Sequence, residues 1–155
     1  MLRDYEPGDL HGVVALFERS VRQIACRDYT CAQLSAWAPE WPDLDAWAER
    51  LSTGAVFVSV REDRLAGFAR LDASGELDLL YVDPLFERRG VATELFDGVT
   101  AWARRYAVAR LVANVSITAR PFFERMGFRV LRSQTVEREG VSLENFHMEC
   151  KIDEG

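Results

Sequence analysis

The chain has 155 residues, 48% hydrophobic and 28% charged, which is one globular domain with a real core and excludes disordered or fibrous repeat architectures. Its formal net charge is −6, and the only basic clusters are Arg88-Arg89 and Arg104-Arg105, so no nucleic-acid-binding face is expected. No run approaches the ~20 apolar residues of a membrane span, and MLRDYEPGD carries charges where a leader needs an apolar stretch.

Residues 1–5 read as a short strand, turned by Pro7-Gly8. Asp9 is the expected N-cap of an amphipathic helix whose apolar positions run from Leu10 through Val13, Phe17 and Val21 to Ala25. Thr30 and Gln33 have capping-box spacing, which predicts a short helix over 31–38, broken by Pro39 and Pro42. A further short helix follows Asp43 and ends near Gly54. The period then becomes two. Strands are predicted at 55–61, 65–71 and 76–82, joined by the turns Glu62-Asp63-Arg64 and Asp72 to Gly75.

Gly90 opens a helix lined by Ala92, Leu95, Phe96, Val99, Trp102, Ala103 and Tyr106. Residues 109–115 make an apolar strand, 118–126 a short helix stopped by Gly127, and 128–137 and 143–152 two final strands around Gly140. Antiparallel strands thus precede one β–α–β crossover. The expected fold is α+β, a single domain over 1–155 with a mixed, mostly antiparallel sheet of about seven strands flanked by about four helices.

Cys26, Cys31 and Cys150 form no CxxC, and His11 and His147 lie far apart, so neither a disulfide framework nor a metal site is expected. Three cysteines cannot all pair with one another, which fits a reducing, cytoplasmic setting.

The segment LLYVDPLFERRGVATELFD leads from a strand through a proline-bearing loop to Arg-Arg-Gly at a helix start. Free N–H groups and the positive end of the helix dipole make such a start an anion site. The string YVDPLFERRGVATEL resembles the acetyl-coenzyme A signature of the GNAT superfamily of N-acetyltransferases, Q/R-x-x-G-x-G/A after a strand ending in apolar-Val-x-Pro. ANVSITARPFFERMGFRV resembles the same family's Asn-x-x-Ala…Tyr-Glu-x-x-Gly-Phe segment. The closing stretch is similar to an uncharacterised bacterial branch of the family.

The resemblance implies two central strands that splay apart around acetyl-CoA. The pyrophosphate is expected on backbone N–H groups of Arg88, Arg89, Gly90, Val91, Ala92 and Thr93. The pantetheine arm is expected along Leu80, Tyr81 and Val82, facing Ser116, Ala119, Phe122 and Phe123. Three positions depart from the family pattern. Glu87 stands where Gln or Arg is usual, Ser116 where Asn is usual, and Phe123 where many members place a Tyr that protonates the leaving thiolate. Tyr81, Ser116 and His147 are the alternative donors.

Glu76 and Asp78 are two apart in a strand and point the same way. They are the expected catalytic bases, at positions where several family members place theirs. Three of the four tryptophans, Trp37, Trp41 and Trp47, fall within eleven positions. With Tyr29, Phe146 and His147, Trp37 and Trp41 are the expected acceptor-binding residues, able to stack on a ring or hold a cation. The expected partner is a small-molecule or peptide amine, and the expected assembly a monomer or homodimer. The rival is a non-catalytic acyl-CoA-binding or sensor protein on the same fold, for which Phe123 is the main argument.

Overall fold

A computed structural model describes residues 1–152. Strand β1 (Leu2–Asp4) leads through a single 3-10 turn to helix α1 (Leu10–Gln23), then α2 (Cys31–Trp37) and α3 (Leu44–Leu51). Strands β2 (Ala55–Arg61), β3 (Arg64–Leu71) and β4 (Leu77–Val82) form the meander. Helix α4 (Val91–Arg105), β5 (Arg110–Ser116), α5 (Arg120–Arg125), β6 (Arg129–Arg138) and β7 (Val141–Lys151) complete the described chain.

The capping box read from the sequence forms as expected. Thr30 Oγ1 accepts from Gln33 N at 3.2 Å while Gln33 Oε1 accepts from Thr30 N at 2.8 Å. Asp43 accepts from Ala46 N at 3.1 Å. Asp9 differs: it makes no cap bond to α1. Its carboxylate turns back to Glu6 N and receives both guanidinium nitrogens of Arg3 at 2.8 and 2.9 Å. A charge-assisted bidentate pair outcompetes a neutral cap bond.

The seven described strands form two antiparallel sheets, ordered β1-β2-β3-β4 and β5-β7-β6. Among the described residues one parallel bridge, Glu76 to Val112, joins them, with Val112 N donating to Gly75 O at 2.9 Å. Beyond that bridge β4 and β5 separate. Five α-helices are present among the described residues, at the five places where the sequence predicts them.

One core lies on the α1 face and contains Val13, Leu16, Phe17, Val58, Phe68 and Leu79. The other lies under α4 and contains Ala66, Leu95, Val99, Leu111 and Met148. Each fully buried Leu or Phe here contributes ~1.5–3 kcal/mol. Gly67 permits the close approach of α4. A Cβ there would lie 2.7 Å from Val91 Cγ1 and 2.9 Å from both Leu95 Cδ1 and Tyr81 O.

Candidate functional site

A cleft of about 1400 Å³ opens where β4 and β5 part. Its walls come from β4, β5, β7, α1, α2 and the N-terminus of α4.

The α4 end is built for an anion. Gly90 is left-handed at φ 80°, and a Cβ there would meet nothing within 4 Å. The openness faces the cleft, so glycine leaves room for a ligand as well as for the turn. The first N–H groups of α4, on Val91, Ala92 and Thr93, have no acceptor within the helix. Arg88 and Arg125 also line the cleft, and among the described residues neither has a carboxylate partner. Arg89 does not line the cleft; its guanidinium sits 5.2 Å from the Phe86 ring and 3.7 Å from Glu62. Glu87 points at Arg27, with bonds of 2.7 and 3.0 Å. The loop is anchored by buried Asp83, which accepts from Leu85 N and from Arg19 of α1 at 2.6 Å.

The middle of the cleft presents a free strand edge. Asp83 N donates to Ala66 O, so two residues back Phe68 and Tyr81 are the hydrogen-bonded pair of the β3–β4 ladder. Leu80 and Val82 alternate with Tyr81 and turn their N–H and C=O groups toward the gap. The Tyr81 backbone is therefore committed to β3, which leaves Leu80 and Val82 as the main-chain partners on this edge. Opposite, Ser116 Oγ accepts from Ala119 N at 3.0 Å, while Phe122 and Phe123 line the wall beside α5. Phe123 is buried against Phe128 at 4.9 Å between centroids.

The α1 side holds the carboxylates and aromatics. Glu76 and Asp78 both line the cleft, but their surroundings differ. Asp78 Oδ2 receives Arg50 Nε and NH2 at 3.0 and 2.9 Å and Arg70 NH1 at 2.9 Å. Its Oδ1 is buried without a partner. The Glu76 carboxylate has no ion pair or hydrogen bond among the described residues. Tyr81 is ringed by Phe17, Phe68 and Trp37 at 4.9, 5.6 and 6.5 Å. Burial pushes its phenol above the ordinary value, and a hydrogen bond from Trp37 opposes this.

The expected acceptor residues divide. Trp37 lies on the wall, and Trp41 stands at it 87% exposed. Tyr29 also lines the cleft, but its hydroxyl is spent on structure, donating to Glu144 O at 2.6 Å and accepting from Ile117 N at 3.0 Å. Burial raises its phenol as well. Phe146 and His147 are not brought to the cleft. Alternation along β7 turns Phe146 into the α4-side core, under the Arg120 guanidinium at 4.5 Å. His147 Nδ1 contacts Asn114 Oδ1 at 2.9 Å. Sequence reasoning missed Asn145, Leu143 and Arg138, which line the cleft from the β6–β7 hairpin. Only the strand register brings them there, and no motif marks it.

A splayed pair of strands with an anion cradle at one helix start defines an acyl-coenzyme A-binding domain. The family profile of the acetyltransferase (GNAT) domain matches residues 25–151, and the chain belongs to that family. It is 37% identical over 151 residues, 97% of this chain and 95% of the other, to the uncharacterized N-acetyltransferase YafP of Escherichia coli K12. A crystallised GCN5-related N-acetyltransferase from Rhodopseudomonas palustris superposes with a TM-score of 0.94 at 31% identity, covering 97% of this chain and 94% of that one. The PaiA N-acetyltransferase of Thermoplasma acidophilum, solved with coenzyme A, gives a TM-score of 0.79 at 16% identity over 97% and 98% of the two chains. Acetyl-CoA is the family's cosubstrate, and the groups just described fit it: free N–H donors and unpaired arginines for phosphates, and an unpaired strand edge for the amide-bearing arm. Among the described residues no helix is long and apolar enough to cross a membrane.

Proposed function

We propose that this protein carries an acetyl group from acetyl-CoA directly to a primary amine, with Glu76 as the general base. The observation that supports this most is the contrast between the two cleft carboxylates. Asp78 is occupied by two guanidinium groups, whereas Glu76 is unpaired on the same wall. The bridge that ends the sheet contact at Glu76 and Val112 holds its backbone at the root of the gap.

Each chain element then has a task. The N–H groups of Val91, Ala92 and Thr93, with Arg88 and Arg125, hold the phosphates. The free edge at Leu80 and Val82 pairs with the extended arm. Glu76, directly or through a water, takes a proton from the incoming ammonium so that its nitrogen can attack. The Val82 N–H donates to the oxygen on which charge develops. Phe123 gives no proton, and a thiol with a pKa of ~8.5 leaves tolerably as thiolate near neutrality. The acetyl–sulfur bond breaks as the acetyl–nitrogen bond forms, the surplus proton left on the acylated nitrogen passes through solvent to the departed thiolate to give the free thiol, and no acyl-cysteine is needed. Trp37 and Trp41 supply apolar or cation-holding wall for the acceptor.

The test is release of free thiol from acetyl-CoA over a panel of primary amines, with the acetylated amine identified by mass. Release that requires both protein and amine supports the reading. Thermal stabilisation by acetyl-CoA with no release from any amine would favour a non-catalytic binder.

A further inference from the structure

Asn145 is a half-buried amide with no partner. Its Oδ1 is buried and accepts no hydrogen bond, and no bond of its Nδ2 is found among the described residues. Buried polar atoms are almost always paired, so one that is not calls for a ligand or an ordered water. Asn145 also lines the cleft.

Its placement separates the two halves of that cleft. In the β5–β7–β6 register Asn145 lies opposite Ser116 on one side and Gln134 on the other. It shares a strand face with Leu143, which belongs to the α1-side core beside Tyr29, Trp37 and Tyr81. The residues beside the free β4 edge, Leu80, Val82, Ala119 and Phe122, pack with the other core. Asn145 therefore faces the side from which the amine enters.

The wall that carries it is held still. Gln33 Nε2 donates to Ser142 O at 3.0 Å, and Tyr29 donates to Glu144 O at 2.6 Å. These two straps tie β7 to the α2 region on either side of Leu143, immediately before Asn145. A fixed backbone with an unsatisfied amide is preorganised for a donor that arrives with substrate.

We infer that Asn145 is an acceptor-binding residue whose side-chain oxygen takes an N–H of the amine substrate and orients it in the cleft. The inference rests on the amine-acetylating reading above.

Three proteins test it: wild type, Asn145→Leu, which matches the shape without polarity, and Asn145→Asp, which keeps an acceptor oxygen. Steady-state thiol release is measured against 2-phenylethylamine, spermidine, phenylalanine and an alanine-initiated peptide, and KM is determined separately for the best amine and for acetyl-CoA. The expected result is a KM for the amine about tenfold higher in Asn145→Leu, as one lost hydrogen bond implies. The KM for acetyl-CoA should stay within about twofold, and Asn145→Asp should stay near wild type for the amine. Thermal stabilisation by coenzyme A reports that each variant is folded. If Asn145→Leu does not fold, Asn145→Ser, which shortens the reach of the oxygen, should show the same rise in amine KM.

A wild type that turns over while Asn145→Leu keeps its amine KM overturns this inference alone. So does a change confined to the acetyl-CoA KM, or an Asp variant that behaves like Leu. A wild type that releases no thiol with any of these amines overturns the proposed function, and this inference with it.

Discussion

Arg27 and Glu87 form a two-pronged ion pair, at 2.7 and 3.0 Å, across the mouth of the signature loop. It accounts for a carboxylate three residues before Gly90, next to the proposed phosphate site. Arg27 follows α1, so the pair ties the first helix to the loop and turns the negative charge aside. Arg27→Ala should weaken coenzyme A binding by roughly threefold, more at low salt than at high, because an unpaired Glu87 then repels the phosphates. Glu87→Gln in the wild-type background should bind no worse than wild type. Calorimetric titration at two salt concentrations reads both.

Tyr29 predicts a loss of stability rather than of binding. Its hydroxyl satisfies Glu144 O and Ile117 N, two main-chain groups on separate segments. Tyr29→Phe should cost about 1–3 kcal/mol in denaturant unfolding, since both groups lose a partner in a buried place. An unchanged midpoint would show that water replaces the hydroxyl without cost.

The glycines should rank by what surrounds them. Gly90→Ala meets open space and bears only the left-handed backbone, about 1–2 kcal/mol. Gly67→Ala drives a methyl into Val91, Leu95 and the Tyr81 carbonyl, so α4 must shift off the sheet. Gly67→Ala should therefore be the more destabilising of the two in a thermal melt, while Gly90→Ala should fall more heavily on coenzyme A affinity.

Acid should unfold the protein through a small set of carboxylates. The Arg3 guanidinium holds Asp9 below the ordinary carboxylate value against its burial. Arg129, aided by Arg110, does the same for Glu149. Groups with depressed folded values contribute stability above their unfolded pKa and lose it as pH falls, because the unfolded chain takes up protons first. Stability should drop as pH passes below ~4.5 and toward the lowered folded values. Asp9→Asn should flatten that slope. Tyr29 and Tyr81 act oppositely: their raised values add stability below pH ~10 that is lost above it.

The fold was legible because its signals are local. Period-two runs placed β2, β3 and β4, and the reciprocal bonds of Thr30 and Gln33 repeat their sequence spacing. The glycine-started helix α4 was legible for the same reason, since Arg-Arg-Gly ahead of an apolar-periodic run is written in neighbouring residues. The proposed acceptor end was not. Phe146 and Asn145 are adjacent, yet alternation sends one into the α4-side core and the other to the cleft. Which of the two faces inward depends on pairing with Ser116 about thirty residues away along the chain, which no local pattern records. Likewise Glu76 and Asp78 look equivalent two apart, until Arg50 and Arg70 arrive from α3 and β3 to occupy one of them.

That difference is the basis of the most direct test. Turnover of acetyl-CoA with the best amine is compared for wild type, Glu76→Gln and Asp78→Asn, each checked for coenzyme A binding and folding. Glu76→Gln should bind coenzyme A normally and lose about 10²–10⁴ in kcat, the contribution of a positioned base. Asp78→Asn should lose stability, on the order of 2 kcal/mol from two guanidinium groups left without their carboxylate, while kcat of the folded fraction falls less than tenfold. A Glu76→Gln enzyme with wild-type kcat would contradict the account.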